Sequence, residues 1–176
     1  MKINLIVAHC KNFGIGINNT LPWNFKRDMK YFRELTSIQN KEFKNPAVIM
    51  GKNTWLSLPK KPLPKRMNYI LSTTIENEYS FTNIDDIIKD CQLNQIDVLW
   101  VIGGSKVYES FLENDLIDYQ IITVIHKKYN CDTFLKPYYL NNKWALISDI
   151  VFDEDNTNIN FKVFERERKE DKINLY

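Results

Sequence analysis

Alternation is the feature that most constrains what this chain can fold into. Short, β-rich apolar runs end at turns containing Gly or Asn and give way to helical spacing. Residues 3–8 read as a strand and 26–35 as a helix. Residues 47–50 read as a strand stopping at Gly51, with a short helix from Asn53. Another strand spans 69–71, and Ile84, Ile87, Ile88 and Cys91 recur at helical spacing. A strand at 98–102 stops at Gly103-Gly104, before a helix through Val107, Phe111 and Leu112. Strands alternating with helices predict an α/β fold: a mainly parallel sheet with helices packed against its faces.

The last third changes style. Residues 119–125, 144–152 and 159–164 read as three strands without strong helices between them, and the polar run 153–158 suits a hairpin turn. The expectation is a parallel sheet closed by an antiparallel edge, in one domain over 1–165, with a frayed, charge-rich tail over 166–176. A length of 176 residues fits one domain. With 44% apolar and 26% charged residues, disordered, collagen-like and membrane-embedded classes are excluded as the main answer. The net charge of +2 gives no reason to invoke nucleic acid or a lipid surface. Cys10, Cys91 and Cys131 lack metal-ligand or disulfide spacing, which points to free thiols, no metal and a reducing compartment. The N-terminal apolar run is too short for a signal peptide. A soluble, monomeric, cytoplasmic protein is expected.

Chemistry concentrates between Leu21 and Phe32. Pro22 keeps Leu21 out of the helical region, so a helix starting after it puts Phe25, Asp28 and Phe32 on one face. A carboxylate among aromatics is poorly solvated, its pKa is raised, and it can handle protons near neutral pH. The competing reading is an acid favoured in a first turn by the helix dipole alone. On this segment the two are evenly balanced.

Two strand–Gly–helix junctions, residues 48–55 and 101–108, present backbone amides, close-approach glycines and a nearby lysine, features suited to phosphate. Neither matches a Rossmann or Walker pattern. One such junction is weak evidence, but two fit a ligand with an extended diphosphate. The Pro-rich basic loop 58–66 offers Arg66 for bidentate capture of a carboxylate, although by itself it reads more readily as a solvated connector. His9 and His126, placed in strands without ligand spacing, read as structural.

Together these segments resemble dihydrofolate reductase, in the family's order and across nearly the whole chain: Ile6-Val7-Ala8, Gly14-Ile15-Gly16, Leu21-Pro22-Trp23, Asp28 with Phe32, Val48-Ile49-Met50-Gly51, Thr54-Trp55, Pro62-Leu63-Pro64 with Arg66, Ile70-Leu71-Ser72, Ile102-Gly103-Gly104 with Val107-Tyr108, Thr123 and Asp132-Thr133. The resemblance implies a central, mostly parallel eight-stranded sheet and hydride transfer from NADPH to 7,8-dihydrofolate, supplying tetrahydrofolate for one-carbon metabolism and thymidylate synthesis. It implies that Asp28 binds the pterin and supports protonation of N5, with Thr123 hydrogen-bonded to it and Leu21 and Trp23 completing the catalytic group. Ile6, Val7, Phe32, Leu58 and Leu63 match positions lining the folate pocket, and Arg66 the one gripping the glutamate-tail carboxylate. Lys52, Thr54, Ser72 and Thr73 match positions around the NADPH phosphates, and Tyr108 one beside the nicotinamide. Ala8, Ile15, Gly16, Gly51, Asn53, Leu71, Ile102, Gly103, Gly104, Ser105, Lys106 and Val107 complete the cofactor-facing set. By the same resemblance Gly103-Gly104 matches a cis peptide, residues 14–23 a mobile loop, and the pocket a target for antifolate inhibitors. Lys65 stands where many members have Gly, Thr73 where Ser or Arg is common, and residues 36–46 exceed the length in compact bacterial members. A pyrimidine reductase of riboflavin synthesis would not be expected to pair Asp28 with Arg66. A non-catalytic binding module would not require Asp28, Thr123 and Gly103-Gly104 together.

Overall fold

The computed structural model describes residues 1–167. Its main sheet has eight strands in the order β5-β4-β3-β6-β1-β7-β10-β9. These are β1 (Lys2–Cys10), β3 (Pro46–Gly51), β4 (Met67–Leu71), β5 (Ser80–Phe81), β6 (Val98–Val101), β7 (Tyr119–Ile125), β9 (Trp144–Glu154) and β10 (Thr157–Arg166). Every pairing from β5 to β7 is parallel, whereas β10 runs antiparallel to both β7 and β9. The helices are α1 (Lys26–Leu35), α2 (Lys52–Ser57), α3 (Ile84–Leu93) and α4 (Ser105–Glu113). The fold is α/β, with a mostly parallel sheet and one antiparallel edge.

Apolar periodicity explains the layering. Residues 47–50 are wholly buried because both faces of β3 are covered. Ala47 and Ile49 join Leu99, Val101, Phe111 and Ile87 under α3 and α4, while Val48 and Met50 join Ile6, Trp100 and Trp55 under α1 and α2. A third cluster (Cys10, Trp23, Phe25, Ile125, Phe152, Ile159 and Phe161) fills the end of the sheet toward the β9–β10 hairpin.

Several sequence-based boundaries move. The hairpin turn is only Asp155-Asn156, with φ of 50° and 56°, the left-handed pair of a tight two-residue turn, so the strands extend across the polar residues on either side. Three short strands escaped the sequence reading: β5 at the edge of the main sheet, and β2 (Gly14–Gly16) and β8 (Thr133–Phe134), which form a separate ribbon. His126 follows β7 rather than lying in a strand, and its Nε2 lies 2.8 Å from Asn160 Oδ1. Arg66 precedes β4, while Arg166 belongs to β10, where its guanidinium meets the Ile117 carbonyl and Asp115 at 2.7 Å each. Residues 168–176 of the expected tail lie outside the described residues.

Candidate active site

The site grows from the start of α1. Phe25 precedes this helix as its N-cap, with extended backbone, and is buried in the third cluster. Phe32 instead packs with the cluster around Ile6, Val48 and Trp55. The single aromatic stripe expected from sequence is therefore split in two, and the acid stands between its halves. No residue of α1 is fully buried; Asp28, Tyr31, Phe32 and Leu35 form a half-buried stripe at i, i+3, i+4 and i+7. A stripe left half-exposed is one wall of a cleft rather than a core face.

On β7, side chains alternate between faces, so Thr123 shares the face of Ile121, which packs in the cluster beneath α1. There Thr123 Oγ1 donates to Asp28 Oδ1 at 2.7 Å. Desolvation pushes the Asp28 carboxyl above its ordinary pKa; the Thr123 hydroxyl opposes this, and the charge of Glu154 adds to it. Glu154, at the end of β9, also accepts from the Arg27 amide at 3.1 Å, holding the first turn of α1. Tyr31 feels the same carboxylate after burial as causes of its raised pKa, and stacks on Phe161 with ring centroids 4.0 Å apart.

Ile6, Phe32, Leu58 and Leu63 come together around one apolar surface. Val7 does not: its side chain packs into the cluster on the other side of the sheet, as strand alternation requires. Trp23 is buried against Tyr129 in the third cluster, its indole N–H without a partner among the described residues, whereas Leu21 is exposed. Arg66 closes the far end of the cleft. Its Nε donates to the Pro64 carbonyl at 2.8 Å and a guanidinium N–H to Thr36 Oγ1 at 2.5 Å. Partial burial, and then Arg33, lower its pKa. Two neighbouring guanidinium groups favour an anion between them. Lys65, just before Arg66, adopts φ of 61°, the backbone region in which glycine is favoured.

The two glycine junctions are neighbours because β3 and β6 pair. The Gly51 amide donates to the Gly103 carbonyl at 2.7 Å, and the Gly103-Gly104 peptide is cis. A Cβ on Gly51 would crowd Val107 at 3.1 Å, whereas one on Gly104 would make an ordinary contact with Thr54 Oγ1 at 3.8 Å and cover the bare backbone there. Gly103 has φ of 110°, and a Cβ there would lie 3.0 Å from the Tyr108 ring, whose hydroxyl donates to the Ile6 carbonyl at 2.9 Å. Ser105, Lys106 and Val107 form the first turn of α4, whose N-cap Gly104 supplies no side-chain hydrogen bond. Asn53 and Thr54 sit on α2 beside Lys52, whose Nζ donates to Thr74 Oγ1 at 3.0 Å. Ser72 Oγ accepts from the Thr74 and Ile75 amides, while Thr73 is exposed. Leu71 and Ile15 pack against the first cluster, Ile102 against the second and Ala8 against the third, while Gly16 pairs with Thr133.

Sequence reasoning missed Glu154, Tyr31, Arg33 and Thr74. Only Tyr31 and Arg33 carried a signal, being one turn from Asp28 or beside Phe32 on the same helix.

A family model described as dihydrofolate reductase matches residues 2–168. The dihydrofolate reductase of Drosophila melanogaster is 38% identical over 143 residues, covering 76% of this chain and 79% of the fly protein. That of Gallus gallus is 32% identical over 182 residues, covering 94% and 96% respectively. A putative dihydrofolate reductase of Caenorhabditis elegans is 35% identical, with 77% of each chain covered. With its parallel sheet, its carboxylate cleft and its paired glycine junctions, the chain belongs to the dihydrofolate reductase family.

Proposed function

We propose that the cleft between α1, α2 and the central strands is where this NADP-dependent oxidoreductase reduces dihydrofolate to tetrahydrofolate, and that the residues above divide the work. The observation that carries the assignment is the half-buried Asp28 carboxyl, one oxygen held by Thr123 and set beside an apolar surface. Asp28 Oδ1 is committed to Thr123, which leaves Oδ2 to meet the pterin ring. A carboxyl with a raised pKa retains its proton to higher pH and so supports protonation at N5. Ile6, Phe32, Leu58 and Leu63 exclude water around the ring, Val7 contributes through its backbone, and Arg66, with Arg33 nearby, receives the tail carboxylate. Leu21 and Trp23 belong to the loop covering the ring.

The chain fits NADPH on its own geometry: α4 opens without a side-chain cap, and the glycine junctions form a surface that a Cβ would fill. Gly51, Gly103 and Gly104 would let the diphosphate approach. Lys52, Asn53, Thr54, Ser72, Thr73, Ser105 and Lys106 would hold its polar parts, and Ala8, Ile15, Gly16, Leu71, Ile102, Val107 and Tyr108 would frame the rest. When bound, the cofactor supplies the hydride. The protein's contribution is orientation, dryness and a placed proton.

The same reading makes residues 1–165 one monomeric cytoplasmic domain whose pocket accepts folate-like inhibitors. Among the described residues, no helix is long and apolar enough to cross a membrane. The test is dihydrofolate-dependent loss of NADPH absorbance by wild type and Asp28→Asn. Equal rates for the two would overturn the assignment of Asp28.

A further inference from the structure

Cys10 and Cys131 are far apart in sequence but meet beneath Gly14. Cys10 is the last residue of β1, fully buried, and its thiol donates to Asn12 Oδ1 at 2.9 Å. Cys131 is half-buried in the irregular segment between β7 and β8, just before Asp132. A Cβ built on Gly14 would stand 2.3 Å from Cys131 Sγ and 3.0 Å from Cys10 Sγ. The two sulfurs are therefore no farther apart than the sum of those distances, with only the bare face of a glycine beside them. The third cysteine, Cys91, is buried on α3 in a different cluster.

We propose that Cys10 and Cys131 are a dithiol modification site that an oxidant of the hydroperoxide class closes to a disulfide, fastening to the end of β1 the segment that holds the loop of residues 14–23. In the first step the Cys131 thiolate attacks a peroxide oxygen; the O–O bond breaks, hydroxide (alkoxide from an organic hydroperoxide) leaves and takes a proton from solvent, and a sulfenic acid forms. Cys10 then attacks that sulfur, the S–O bond breaks and water leaves. Two thiols lose two electrons in all, and the peroxide gains them. Cys131 is the half-exposed member and makes the first attack; buried Cys10 resolves. The final approach to about 2 Å asks for adjustment at Cys131, which itself lies outside β7 and β8.

The pair sits where the loop is held. The Asp132 amide donates to the Gly16 carbonyl at 3.0 Å, the Asn18 amide donates to Asp132 Oδ2 at 2.9 Å, and Gly14 and Gly16 pair with Phe134 and Thr133. A covalent bond at Cys131 adds to this ribbon a tether that cannot open and close. Burial, then Cys10 itself, raise the Cys131 thiol pKa, Asp132 adding to the shift and a Gly16 backbone hydrogen bond opposing it. Tyr129, whose own pKa Cys10 helps raise, is the other titratable neighbour. Oxidation is therefore slow at neutral pH and accelerates as pH rises and the thiolate fraction grows.

The experiment treats the full chain with hydrogen peroxide, alkylates the remaining thiols in denaturant and maps the peptides. A Cys10–Cys131 disulfide with Cys91 alkylated is expected. Dihydrofolate turnover should fall by about twofold or more, as when a loop motion sets the rate, and should return on reduction with dithiothreitol. Cys131→Ser should form no such link and keep its untreated rate through the same treatment. Three alkylated cysteines, a sulfinic acid on Cys131 beside an intact Cys10 thiol, or a disulfide-linked chain with undiminished turnover would each overturn the proposal.

Discussion

Thr123 Oγ1 and Asp28 Oδ1 lie 2.7 Å apart, joining the face of a central strand to the first turn of the helix across the cleft. Asp28→Asn keeps the shape and removes the titrating group. Hydride transfer to dihydrofolate should slow by about 10²-fold or more in single-turnover measurements, within the range of acid–base assistance. In wild type the rate should fall as pH rises through the raised pKa, because the protonated form disappears there.

Asp28→Asn should move stability the opposite way to rate. A carboxyl whose folded pKa exceeds the unfolded value of about 3.9 binds more protons folded than unfolded between those two values, so wild-type stability declines as pH rises through that window. Below the window the carboxyl is protonated in both states and the penalty vanishes. Asp28→Asn should therefore melt higher than wild type at neutral pH, and the gain should vanish below the unfolded value. Calorimetry at the two pH values checks the sign.

Thr123→Val and Glu154→Gln should shift the pH–rate profile in opposite directions. The first removes a donor that stabilises the carboxylate, moving the fall in rate to higher pH; a hydrogen bond to a charged group is worth about 1.5–3 kcal/mol. The second removes a negative neighbour and moves the fall to lower pH, while the amide oxygen can still accept from the Arg27 backbone. Profiles shifted the same way would contradict this division of roles.

Arg66→Ala should weaken dihydrofolate binding far more than that of a pteridine lacking the glutamate tail. Losing a charge-assisted contact in a partly shielded cleft costs about 2–5 kcal/mol. Titration with both ligands separates a carboxylate contact from a structural role through Thr36.

Lys52→Glu should erase most of the preference for NADPH over NADH and leave NADH binding nearly unchanged. The contact is exposed and already shared with Thr74, so the preference should be about tenfold and should shrink with salt. Binding isotherms for the two cofactors at two ionic strengths check both statements.

The sheet was readable because its strands carry their own signal. Residues 47–50 and 98–101 are apolar throughout, and only a strand covered on both faces makes that pattern stable. The ribbon of β2 and β8 was not readable, because Gly14 and Gly16 have poor strand propensity and β8 is two residues long. Both exist through pairing between segments remote in sequence. Asp28 was legible as an unusual acid among aromatics, but Phe25, expected on the same helical face, only caps the helix. Alternation along β1 already implied that Ile6 and Val7 face opposite ways. Glu154 and Thr74 gave no signal, since a polar residue near a strand end is ordinary until its neighbours are known.

The hydrogen bonds around Asp28 also set an order of assembly. Its helix is translated early, yet its partner Thr123 and the Glu154 that grips its first turn lie beyond residues 119 and 150. A ribosome-bound chain that has released residues only as far as the end of α4 holds the acid without the groups that tune it. Chemical competence is thus conferred in the closing stage of synthesis, and a prematurely terminated product carries the carboxylate but not the enzyme.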